Sequence, residues 1–72
     1  MHMEITHEWK LEEVIDLFPE TLSIFYDIGF TDLESPVMRH AAKLVDIREA
    51  AGLMGTDVES LIERLNRKIQ AD

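Results

Sequence analysis

The sequence predicts an all-α fold, a small orthogonal bundle of four to five short helices with a short extended N-terminal segment. Three observations predict it. The apolar spacing i, i+3, i+4, i+7 recurs five times, as Leu11-Val14-Ile15-Phe18, Leu22-Phe25-Tyr26-Gly29, Met38-Ala41-Ala42-Val45, Ile47-Ala50-Ala51-Met54 and Val58-Leu61-Ile62-Leu65. Each quartet is one stripe of an amphipathic helix. Pro19, Pro36 and Gly55 stand between the stripes and Gly29 at the end of the second, all residues that stop or start helices. The chain has 72 residues and no cysteine, so one domain is expected over residues 1–72, without a disulfide or a thiolate metal site.

Residues 1–9 carry no helical stripe, and Glu4-Ile5-Thr6 is expected to run extended along the bundle. The first helix covers 11–18, led by Leu11. Pro19 closes it, because proline disfavours helical geometry at Phe18 and suits the first turn of a new helix. The second helix runs to about Ile28, and Gly29 supplies the left-handed stop. Phe30 to Ser35 reads as a loop. Ser35-Pro36 then caps and opens a third helix, about 36–44, with Arg39 and Lys43 suiting its C-terminal half. Asp46 and Glu49 form a capping-box pattern at the start of a fourth helix that stops at Gly55. Thr56 and Glu59 repeat that pattern before the longest helix, about 57–70. A weak internal repeat pairs Lys10-Leu11-Glu12-Glu13-Val14 with Asp46-Ile47-Arg48-Glu49-Ala50, so two helical hairpins flank a connecting helix. Trp9, Phe18, Phe25 and Tyr26 are expected in the core or at its edge.

The formal net charge of −8 is unevenly placed. Residues 1–36 hold nine acids and one base, Lys10, whereas 37–72 hold six of each. Such a surface repels phosphate backbones and anionic lipid and favours solubility or a basic protein partner. No apolar run approaches the roughly 18 residues needed to span a bilayer. Met1-His2-Met3-Glu4 lacks the basic and apolar regions of a secretory signal. A cytoplasmic protein without membrane contact is therefore expected.

Candidate chemistry is sparse. The histidines are His2, His7 and His40, and no pair has the i, i+4 spacing that places two imidazoles on one helix face. Glu12, Glu13 and Asp16 lie on the expected solvent side of the first helix. Ser23, Ser35 and Ser60 have no neighbouring histidine, and Gly29, Gly52 and Gly55 match no phosphate-binding loop. No enzymatic activity, metal or cofactor is expected. Residues 47–69 have the outline of a helix-turn-helix, but Asp57, Glu59, Ser60 and Glu63 would lead its second helix toward the bases. That charge disfavours nucleic acid, which is kept as the alternative reading.

The segments Leu22–Ile28, Gly29–Pro36, Asp46–Ala51 and Asp57–Asn66 together resemble the bacterial domain-of-unknown-function family 1858, over about residues 4–69. That family is similar to the N-terminal domain of iron–sulfur cluster repair proteins. Many members carry two loop cysteines followed by proline and are suspected redox-disulfide modules. The resemblance places those positions at Asp32 and Ser35, so this chain would be a relative that has lost thiol exchange. It implies a helical fold and a role as an accessory or protein-interaction module. Phe30 and Leu33 then have two readings. Either they finish the core while Asp32 caps a turn, which is favoured. Or Phe30, Asp32, Leu33 and Glu34, with Arg39, His40 and Lys43, form a docking surface. The expected partner is an unidentified protein, with a homodimer as a further option.

Overall fold

Residues 4–70 are described by the computed structural model. Within them run α1 (Leu11–Leu17), a 3₁₀ turn (Pro19–Thr21), α2 (Leu22–Ile28), α3 (Pro36–Leu44), α4 (Ile47–Leu53) and α5 (Val58–Gln70). This is a small all-α bundle, with residues 4–6 outside any helix ahead of it. His2 lies outside the described residues.

Local chemistry explains the boundaries. Phe18, at φ −131° and ψ 75°, has left helical geometry ahead of Pro19, and the 3₁₀ turn carries the chain into α2. Gly29 ends α2 at φ +120°, with Gly29 N–H donating to Tyr26 O (3.2 Å) and Phe30 N–H to Phe25 O (2.9 Å). Those two bonds are a Schellman stop. The positive φ strains any side chain at Gly29, and a Cβ there would also sit 2.9 Å from Met54 Sδ, so that flexible side chain would have to shift. Asp46 and Glu49 form the reciprocal capping box: Glu49 N–H donates to Asp46 Oδ1 (2.8 Å) and Asp46 N–H to Glu49 Oε1 (3.0 Å).

The cap of α5 is a correction. Asp57, not Thr56, accepts from the backbone, through Ser60 N–H at 2.9 Å. Glu59 does not fold back to close a box; its carboxylate turns outward to His7 Nε2 at 2.9 Å. Adjacent Thr56 and Asp57 are both good caps, and the tie to His7 goes with the register that starts one residue later.

The helices that start at Leu11 and Ile47 meet at their N-terminal ends. Leu11 N–H donates to Val45 O (3.0 Å) and Ile47 N–H to Trp9 O (2.9 Å), an isolated antiparallel bridge centred on Lys10 and Asp46. The core draws on every helix. Leu11, Val14 and Ile15 come from α1, Ile24 and Phe25 from α2, Ala42 from α3, Ile47, Ala50 and Ala51 from α4, and Leu61 and Leu65 from α5. Ile5 joins them from the N-terminal segment, fastened by a double bond to α5. Its N–H donates to Asn66 Oδ1 (2.7 Å), and Asn66 Nδ2 donates to its carbonyl (3.0 Å). The side-chain amide thus satisfies both backbone groups of a buried residue outside any helix. Thr21, the one buried polar residue among those described, donates its hydroxyl to Phe18 O at 2.7 Å.

Trp9 is half-buried and packs tilted on Phe18, ring centroids 6.2 Å apart, so it braces the entry to α1. Phe25 is fully buried. Tyr26, 36% exposed, stands at the rim of the core, its hydroxyl 3.5 Å from Glu34.

Candidate docking surface

The loop after α2 is fixed by its own backbone. Thr31 N–H donates to Gly29 O (3.0 Å) and Ser35 N–H to Asp32 O (3.1 Å). Asp32 takes φ +62°, a left-handed conformation that Asp tolerates better than most residues. This geometry turns Phe30 and Leu33 inward, at 5% and 1% exposure. They finish the core, and neither presents an apolar side chain to a partner. The docking surface read from the sequence is corrected to that extent. Asp32 and Glu34 remain exposed on the loop.

Ser35 begins α3 as an N-cap, its Oγ accepting from Met38 N–H at 3.2 Å, and Pro36 occupies the first helical position. One side of α3 is then stitched to α1. Arg39 Nη1 lies 3.2 Å from Asp16 Oδ1, and Lys43 Nζ lies 3.8 Å from Glu12 Oε2. The rising numbers on one helix pair with falling numbers on the other, so the two helices run antiparallel. Glu13 is engaged too, its Oε1 accepting from Lys10 N–H at 2.8 Å. The three carboxylates of α1 therefore help hold the fold rather than form a free acidic face, although such exposed pairs contribute only about 0–1 kcal/mol each.

Of the residues expected to meet at this surface, His40, Asp32 and Glu34 remain open to solvent, while Arg39 and Lys43 are committed to α1. The residues missed from the sequence are Val37 and Leu44, at 78% and 63% exposure. With half-buried Ala41, which borders the core side, they repeat the i, i+4, i+7 spacing along the outer side of α3. The quartet Met38-Ala41-Ala42-Val45 claims the buried side of the same helix, so this shorter outer stripe is hidden beneath a stronger signal.

In the helix-turn-helix outline of 47–69, Asp57 is spent on the cap of α5 and Glu59 on His7. Both carboxylates stand at the end that would have to approach a phosphate backbone. Among the described residues no group of three His, Cys, Asp or Glu side chains is placed to hold a metal ion. No described helix is long and apolar enough to cross a membrane.

These features define a small all-α domain whose polar side chains serve mostly as caps and inter-helix ties. The model of the family described as Domain of unknown function (DUF1858) matches residues 5–62, and the chain belongs to that family. Where the resemblance places a cysteine pair, this member has Asp32 in a left-handed turn and Ser35 as a helix cap. No curated protein and no solved structure matches the chain.

Proposed function

We propose that this domain is a non-enzymatic protein-interaction module of the bacterial cytoplasm, docking through the outer side of α3 and the acidic loop before it. The observation that carries the reading is the exposed pair Val37 and Leu44, two turns apart on a helix whose other sides are already occupied. Single exposed apolar residues are ordinary, but two in register with Ala41 and His40 make a stripe that a partner helix or groove can cover. Asp32 and Glu34 lie beside the start of α3, so the fitting partner carries an apolar ridge flanked by Lys or Arg. The non-enzymatic part of the reading is supported by where the acids are used. Glu13, Asp46, Glu49 and Asp57 cap helices, and Glu12 and Asp16 join α1 to α3.

The test is the double substitution Val37→Asp and Leu44→Asp. Both sites are open to solvent, so helicity and melting temperature should be unchanged within experimental error. Proteins recovered with the wild-type domain from its own cell should be lost with the variant. Recovery of the same proteins at the same yield would refute the assignment of this surface.

A further inference from the structure

On the side of the molecule formed by α2 and α5 lies an open groove of about 400 Å³, lined by Ser23, Ile24, Arg64, Arg67 and Lys68. Its charge is opposite to that of the chain as a whole. Three of the seven lysines and arginines stand here, within five residues of α5, in a protein of formal charge −8. Residues 64, 67 and 68 are related by i+3 and i+4 and share one face of the helix. Like charges at these spacings destabilise a helix by a few tenths of a kcal/mol. The helix dipole favours cations near a C-terminus, but it does not require them to share one face or to look onto a hydroxyl of another helix.

We propose that this groove binds a compact oxyanion carrying two or more negative charges. The two guanidiniums are only partly used. Arg64 gives one nitrogen to Asp27 at 3.1 Å, and Arg67 gives one to Glu63 at 3.0 Å. Each guanidinium has five N–H donors in a fork suited to a phosphoryl or carboxylate group, so both retain donors for a ligand. Both ion pairs are solvent-exposed, hence weak and readily exchanged for a more highly charged partner. Lys68 adds a third cation, Ile24 gives the groove an apolar floor, and the Ser23 hydroxyl lines it from the facing helix, its proton held by Glu20 O only at a long 3.4 Å. All three cations lie beyond residues 5–62, the segment that the family model matches.

The experiment is a titration of the ¹⁵N-labelled protein with pyrophosphate and, separately, with citrate, at constant ionic strength. Saturable shifts are expected at Ser23, Ile24, Arg64, Arg67 and Lys68, with a Kd of order 1 mM. Arg67→Gln and Lys68→Gln should each weaken binding about tenfold. Arg39→Gln, which removes a cation from the α1–α3 seam, should leave the affinity unchanged. Binding of pyrophosphate alone assigns a phosphoryl ligand, binding of citrate alone a polycarboxylate, and binding of both the shared chemistry. Shifts that fail to saturate, that spread over all lysines and arginines, or that survive both substitutions would overturn the proposal.

Discussion

The two helical hairpins of this domain are the same construction made with different chemistry. α1 and α4 begin at Leu11 and Ile47, and α2 and α5 begin at Leu22 and Val58, a shift of 36 residues in both cases. The same shift exchanges the two bonds of the central bridge: Leu11 N–H to Val45 O becomes Ile47 N–H to Trp9 O. It also relates Lys10 and Asp46, whose backbone N–H groups donate to the carboxylates of Glu13 and Glu49. The break between helices falls at equivalent positions, yet it is made by Pro19 in one half and by Gly55, at φ +66°, in the other. Proline stops a helix by losing a donor and crowding its predecessor, while glycine does so by turning left-handed. The halves also divide the core unequally. Val14 and Ile15 correspond to Ala50 and Ala51, and Phe25 corresponds to Leu61, all buried. The first hairpin supplies volume, and the second supplies small side chains against which that volume fits.

The largest effect should come from removing the equivalent anchors. A domain of this length has a stability of order 5 kcal/mol. Phe25→Ala should cost about 4 kcal/mol and Leu61→Ala about 3 kcal/mol, leaving the protein near the edge of folding. Urea unfolding followed by circular dichroism measures both, and losses under about 1 kcal/mol would show that these positions do not anchor their halves.

A medium effect should follow from giving the second half the side chain of the first. Ala51→Ile adds apolar surface, but Ala51 is fully enclosed, so overpacking should cost about 2 kcal/mol. A neutral or stabilising result in the same urea assay would mean that the unequal division of volume is incidental.

The smallest effects should have opposite signs at equivalent caps. Asp46→Ala removes the acceptor of Glu49 N–H and should cost about 1 kcal/mol. Lys10 offers no such acceptor to α1, so Lys10→Ser should add about 0.5 kcal/mol. Thermal melts of the two variants decide this. A loss from Lys10→Ser would show that its 3.4 Å contact from Nζ to the Leu44 carbonyl outweighs an N-cap.

The helices were legible because their causes are local. The 3.6-residue period, Pro19, Gly29, Ser35-Pro36 and the Asp46–Glu49 box each act within a few residues of chain, and the observed boundaries lie within a residue or two of those expected. The repeat was visible at 10–14 and 46–50, but the backbone exchange that makes it a structural pairing was not. Nor could the sequence reveal Asn66 as the partner of Ile5, 61 residues away, since a lone asparagine on a helix has many ordinary uses. The side chains around the 29–36 loop and α3 were legible only in part. The sequence favours burial of Phe30 and Leu33, since loop apolars in small domains usually finish the core, and both are buried. The exposure of Val37 and Leu44 was not legible, because the stronger core stripe of the same helix masks it.

The amino-acid pattern by itself determined an all-α chain, where its rods start and stop, and that it carries no thiol chemistry, because periodicity, capping and composition are properties of neighbours in sequence. Only the tertiary structure decided which carboxylates are spent on caps and seams, that the loop apolars are buried, and that three cations face a serine across a groove. Those outcomes depend on which helix faces lie opposite one another. Pairings between residues tens of positions apart are set by the packing of the whole bundle, and no local stretch of chain encodes them.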